Sequence, residues 1–223
     1  MLTYYPININ LQQFKCLIVG AGKVGLRKAK TLVKFKPCQL TLIDPNPQLP
    51  KSLLAQPFVQ VLTKRFEPKD LNGYDLIFAC TNDPACNSQI VQLAQEKKQL
   101  INTATNPKEG NFILPSVLPK GDLTVTVFSQ GTCPALSKYL RQELELIIGP
   151  EYQIMAQLLK LIRPVLIQNQ NKTQNNNLLN TLVQTLMPIL KKQNKREARQ
   201  KIKQILPPAT WEKVEVKIDE VLS

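Results

Sequence analysis

Three glycines and an aspartate are the residues of this chain best suited to a recognisable chemistry. Gly20, Gly22 and Gly25 stand in the string GAGKVG, and Asp44 ends the run QLTLID. A GxGxxG string alone is weak evidence, but here it follows the apolar run FKCLIV (14–19) and opens the amphipathic stretch KVGLRKAKTLVKF (23–35). The acid then lies near the offset of about 20 residues at which a dinucleotide-binding β-α-β unit places its ribose-binding carboxylate. Gly20 permits the tight turn, Gly22 lets a pyrophosphate approach the backbone, Gly25 allows close helix–strand packing, and the helix N-terminus attracts phosphate. With Lys23 and Val24 in the turn and Pro45 beyond the acid, these residues form the expected cradle for NAD. Asp44 suits a ribose 2′-hydroxyl and repels a 2′-phosphate, which favours NAD over NADP. The same residue also reads as a capping or solvated acid.

CTNDPACN (80–87) falls at the C-terminal end of a predicted strand, where open α/β sheets bind ligands. Thr81, Asn82 and Asp83 either line the cofactor or cap the next helix. The chain has no histidine, which excludes Ser-His-Asp and Cys-His mechanisms and removes the commonest transition-metal ligand. Proton transfer must therefore use a carboxylate, Lys, Tyr, Cys, the substrate or water. Five scattered cysteines, none spaced as CxxC, read as free thiols rather than disulfides or a metal site.

The elements needed to position these groups follow in alternation. Strands are predicted at 14–19, 39–44, 58–66, 75–81 and 99–105, with helices over 23–35 and 87–98, and that order implies a parallel sheet. On the first helix, Val24, Ala29, Leu32 and Val33 are expected inward, with Arg27, Lys28, Lys30 and Lys34 outward. After Pro107 the pattern changes. NFILPS (111–116) and DLTVTVFS (122–129) read as strands, the second with the alternation of a half-exposed antiparallel strand. PALSKYLRQELELII (134–148) reads as an amphipathic helix with proline in its first turn. From 151 onward the pattern is helical, interrupted at Pro164, by an exposed polar loop at 168–177, at Pro188 and at Pro207-Pro208.

At 223 residues, 43% hydrophobic and 20% charged, the composition is that of an ordinary globular protein. No stretch approaches the roughly 20 apolar residues of a membrane span, and MLTYYPININ lacks the features of a signal segment, so a cytoplasmic protein with no membrane partner is expected. The net charge of +13 suits an anionic partner. Nucleic acid is disfavoured, because its best candidate, KKQNKREARQKIK (191–203), also reads as the solvated face of an amphipathic helix.

The strings YPI (5–7), CLIVGAGKVGLRKAKTL (16–32), TND…N (81–87), IN…NP…NFILPS (101–116) and LTVTVFSQGTCPALSKYLRQELE (123–145) together resemble the precorrin-2 dehydrogenase family. That family also forms the N-terminal module of siroheme synthases. Residues 151–223 resemble it only in being helical. The resemblance implies an α/β chain: a Rossmann-like NAD-binding domain at 1–113, a small α+β dimerisation segment at 114–150 and a helical domain at 151–223. It also implies a homodimer, oxidation of precorrin-2 to sirohydrochlorin, and in some relatives insertion of ferrous iron. A polyanionic tetrapyrrole substrate would give the basic charge a specific meaning.

Relatives carry an aspartate shortly after the IN of the fifth strand as an acid/base group. In this chain Thr105 stands there with Asn106 beside it, and neither is a base at neutral pH. A dehydrogenase without ferrochelatase activity is therefore expected, because chelation must remove two pyrrole protons. The resemblance places Asn102, Ser129, Gly131, Thr132, Cys133, Lys138 and Arg141 against the substrate, with Cys133 where relatives carry serine. Lys138 and Arg141 also read as a solvated basic face.

Overall fold

The computed structural model describes residues 4–168 and 171–223, which divide into two compact units, Met1–Leu114 and Pro115–Ser223. In the first unit, β1 (Lys15–Val19), β2 (Gln39–Ile43), β3 (Val59–Leu62), β4 (Leu76–Ala79) and β5 (Leu100–Thr103) form one parallel sheet in the order β3-β2-β1-β4-β5. The five strands predicted for this sheet are present, each shorter than predicted. The central strands are apolar on both faces because both faces are covered, so Leu17, Ile18, Leu40, Leu42, Ile77 and Phe78 are fully buried. Helix α1 (Lys23–Val33) covers one face and α3 (Pro84–Glu96) the other, while the four-residue α2 (Lys51–Leu54) adds Leu53 to the α1 side.

On α1, Gly25, Ala29 and Leu32 are buried, but Lys28 departs from its expected outward place. Its aliphatic stem lets it lie half-buried, with Nζ 5.2 Å from the centre of the Phe78 ring and 2.6 Å from Asn102 Oδ1. The strand expected at 111–116 is also absent. Asn111 instead runs beside β5 through side-chain bonds, its Oδ1 accepting from Ile101 N–H and its Nδ2 donating to the Gln99 carbonyl. Strand structure resumes only after Pro115.

In the second unit, β6 (Ser116–Lys120) and β7 (Leu123–Val127) pair antiparallel around a turn at Gly121, whose φ of +60° suits glycine. Helix α4 (Pro134–Ile147) follows, then α5 (Pro150–Ile167), α6 (Lys172–Lys191), α7 (Lys195–Ile205) and α8 (Pro208–Leu222). The last four share a core that includes Leu158, Ile162, Leu186, Ile202, Trp211 and Ile218. Pro164 and Pro188 do not interrupt their helices. Each removes one hydrogen bond, yet the turns on both sides are anchored in the core, by Ile162 and Leu166 in α5 and by Leu186 and Leu190 in α6.

The loop expected at 168–177 is replaced from Lys172 onward by the first turns of α6; residues 169 and 170 lie outside the described residues. Asn171 caps that helix by accepting from Gln174 N–H, and Asn175 is buried, donating to the Leu166 carbonyl near the end of α5. Two asparagines of the run thus satisfy helix ends, while its other described residues are exposed as expected but helical from Lys172 onward.

Candidate functional site

The glycine turn is a backbone construction. Gly20 has φ +96°, and a Cβ there would stand 2.5 Å from the Cys80 carbonyl oxygen at the end of β4. A Cβ on Gly25 would land on the Gly20 carbonyl oxygen, so the helix can descend onto the turn only without one. Gly22 differs: nothing in the protein lies within 4 Å of where its Cβ would be. Gly22 is the N-cap of α1 and no side chain caps that end, so the first-turn N–H groups of Lys23 and Val24 have no side-chain cap. The turn therefore has room for phosphate at a helix N-terminus and the donors to receive it.

Asp44 lies just past β2, half-buried, and its carboxylate is committed on both oxygens. Oδ2 accepts from Ala21 N–H at 2.7 Å and Oδ1 from Asn46 N–H at 2.8 Å. It braces the glycine turn from within, a role its spacing does not reveal. Each oxygen retains a second lone pair, so a ribose hydroxyl can still be accepted. Pro45 is exposed beside it.

The ends of β4 and β5 form a second cluster, built from side chains. Asp83 caps α3, its Oδ1 accepting from Ala85 and Cys86 N–H. Thr81 is held by Asn87, a buried residue on the first turns of α3. Asn87 also donates from Nδ2 to Thr105 Oγ1 at 2.7 Å. Thr81 and Thr105 are thus brought together through Asn87, the last residue of the TND…N string, for which no role was expected. The signal for Asn87 is its place in that string, six residues after Thr81 at a helix start. Asn82 is exposed beside Thr81.

Asn106 caps the short turn Pro107–Glu109, accepting from Lys108 N–H and donating to Glu109 Oε1. Asn102 is buried on the α1 side of β5, accepting from Lys28 and donating to the Phe112 carbonyl. Burial in this contact holds the Lys28 ammonium below the usual lysine range.

The cysteines are all free. Burial pushes Cys16 up to about 12 and Cys80 up to about 11, so neither is a thiolate at neutral pH. A cavity of about 540 Å³ bordered by Phe14, Tyr74, Asp75, Lys97 and Gln99 opens where β1, β4 and β5 begin. That is the sheet edge opposite the glycine turn. Among the described residues, no group of three His, Cys, Asp or Glu could hold a metal ion.

In the second unit, the Ser129–Cys133 loop turns through left-handed conformations at Gln130 and Gly131. Ser129 Oγ donates to the Cys133 carbonyl and accepts from Cys133 N–H and from the buried Ser137 hydroxyl. Ser129 therefore does the capping, and the Cys133 side chain, at the N-cap position, makes no cap bond. Thr132 is exposed. Lys138 is exposed one turn into α4, and Arg141, a turn further, pairs with Glu145 at 2.7 Å. Apart from Ser137, α4 buries nothing within the chain, and Tyr139, Leu140, Leu146 and Ile147 are exposed.

Residues 7–116 match a family model described as NAD(P)-binding. The chain is similar to a siroheme synthase of Nitrosomonas europaea, 31% identical over 158 residues that make up 70% of this chain and 33% of that protein. It is also similar to a siroheme synthase of Methylobacillus flagellatus, at 35% over 153 residues, 68% of this chain and 32% of that protein. The chain thus spans about a third of the length of these relatives. Among solved structures it shares the fold of SirC, a precorrin-2 dehydrogenase, with a TM-score of 0.73 at 23% identity over 90% of this chain and 100% of that one. Residues 7–116 thus match an NAD(P)-binding model, and the chain has the fold of that dehydrogenase.

Proposed function

We propose that this protein is an NAD-dependent precorrin-2 dehydrogenase that oxidises precorrin-2 to sirohydrochlorin in siroheme biosynthesis, acts as a homodimer and lacks ferrochelatase activity. The observation that carries the reading is the open glycine turn braced by Asp44 in a chain similar to siroheme synthases. Bound NAD supplies the hydride acceptor. The backbone from Gly20 to Gly25 and the N-terminus of α1 hold its phosphates, and Asp44 accepts from the ribose and disfavours a 2′-phosphate. Asn87 fixes the ends of β4 and β5 against the reacting groups.

Oxidation removes a hydride and a proton from the macrocycle. Thr105 and Asn106 cannot take that proton at neutral pH, so it leaves to water or to a substrate carboxylate. Iron insertion must also displace two pyrrole protons, and the absence of a base at position 105 is the reason for leaving chelation out.

Anaerobic incubation of precorrin-2 with NAD and the pure protein should produce sirohydrochlorin and NADH together. NAD binding without turnover would instead support a non-catalytic NAD-binding regulator, a reading favoured by Asn106 being occupied as a cap. Sirohydrochlorin with ferrous iron should form siroheme no faster than a protein-free control. The exposed apolar face of α4 supports the homodimer, which sedimentation velocity tests.

A further inference from the structure

We propose that Asn87 is a positioning residue that makes the Thr105 hydroxyl a hydrogen-bond donor to an acceptor oxygen of the bound ligand. The argument begins with the orientation of the Asn87 amide. Its Oδ1 lies 3.0 Å from Thr81 N and its Nδ2 lies 3.0 Å from Thr81 O. The opposite orientation would set donor against donor and acceptor against acceptor, so the backbone of Thr81 fixes which end of the amide is which.

The second N–H of that amide then has one recipient, Thr105 Oγ1, at 2.7 Å. A hydroxyl that accepts there keeps its own proton for another partner. The proton has no place on Asn87 itself, because Oδ1 already accepts from Thr81 N–H and from the Thr81 hydroxyl at 2.8 Å. Asn87 is only 1% exposed, whereas Thr105 is exposed just past the C-terminal end of β5, where α/β sheets hold their ligands. The amide therefore turns the O–H outward. Position 105 donates a proton in a hydrogen bond and does not remove one.

The proposal rests on the dehydrogenase reading for the identity of its ligands. Two acceptors have the required chemistry: the carboxamide oxygen of the nicotinamide and a carboxylate of the tetrapyrrole. The wild-type protein, Thr105→Val and Thr105→Ser are compared by calorimetric titration with NAD and by KM for precorrin-2. Loss of the donor should weaken one ligand roughly tenfold in a variant that remains folded, and Thr105→Ser should restore the affinity. Weaker NAD binding identifies the carboxamide, and a raised precorrin-2 KM the tetrapyrrole.

Asn87→Asp provides the second arm, because a carboxylate accepts on both oxygens and draws the Thr105 O–H inward. It should reproduce the Thr105→Val affinity, with no further loss in the double variant. If the wild type shows no turnover, the dehydrogenase reading fails and the NAD titration alone judges the hydroxyl. Unchanged affinity for every ligand that the wild type binds, in folded Thr105→Val, overturns the proposal.

Discussion

The glycine turn and the ends of β4 and β5 sit at the same edge of one sheet, yet they are made of different material. The turn works through atoms that are missing: Gly20 and Gly25 have no room for a Cβ, and Gly22 keeps a space open. The strand ends work through atoms that are present, in an amide whose hydrogen-bonding capacity is spent on Thr81 and Thr105. Backbone devices leave their mark in residue spacing, whereas side-chain networks depend on contacts that spacing does not encode.

Substitutions can break or sharpen that contrast. The largest effect is expected from Gly25→Val, which forces α1 off the turn; it should cost about 3 kcal/mol or more and lower the melting temperature by roughly 6–12 °C, read by thermal unfolding. Asn87→Leu comes next, because it buries the Thr81 N–H and carbonyl without partners. A loss of about 2 kcal/mol is expected in urea titration, and a loss below about 0.5 kcal/mol would show that water or a shifted backbone takes over those bonds.

Gly22→Ala should separate binding from folding. Its Cβ meets no protein atom, so stability should stay within about 0.5 kcal/mol while NAD affinity falls at least roughly tenfold by calorimetry. A variant that binds NAD normally would remove the phosphate from this turn.

The smallest effect concerns Lys28. Burial lowers its folded pKa below the unfolded value of 10.5, so the unfolded chain binds more protons as pH rises through that window, and stability rises with it. The stability difference between wild type and Lys28→Met should therefore shift in favour of wild type as pH climbs toward 10.5. A difference flat with pH would mean that Lys28 is solvated in the folded state.

The same division explains what could be read in advance. The five parallel strands, α1, α3 and α4 were legible because apolar runs and helical periodicity record burial directly. The helices through Pro164 and Pro188 were not, because a local penalty was outweighed by core contacts distant in sequence. Lys28 was misplaced for a related reason: periodicity assigns a lysine to the solvent face, and only the fold brings Phe78 and Asn102 beneath it. At the site, Gly20, Gly22, Gly25 and Asp44 could be singled out from spacing, but the bond from Ala21 N–H to Asp44 could not.

That bond constrains how the protein can evolve. On the proposed reading, a carboxylate that both receives the ribose and braces the turn cannot be exchanged simply to admit a 2′-phosphate. Its removal also strips the Ala21 N–H of its partner and loosens the loop on which either nicotinamide cofactor would have to sit. A change of cofactor preference through position 44 therefore needs at least two coordinated substitutions, one for the phosphate and one to rebuild the brace, and the intermediate carrying only the first is handicapped for both cofactors.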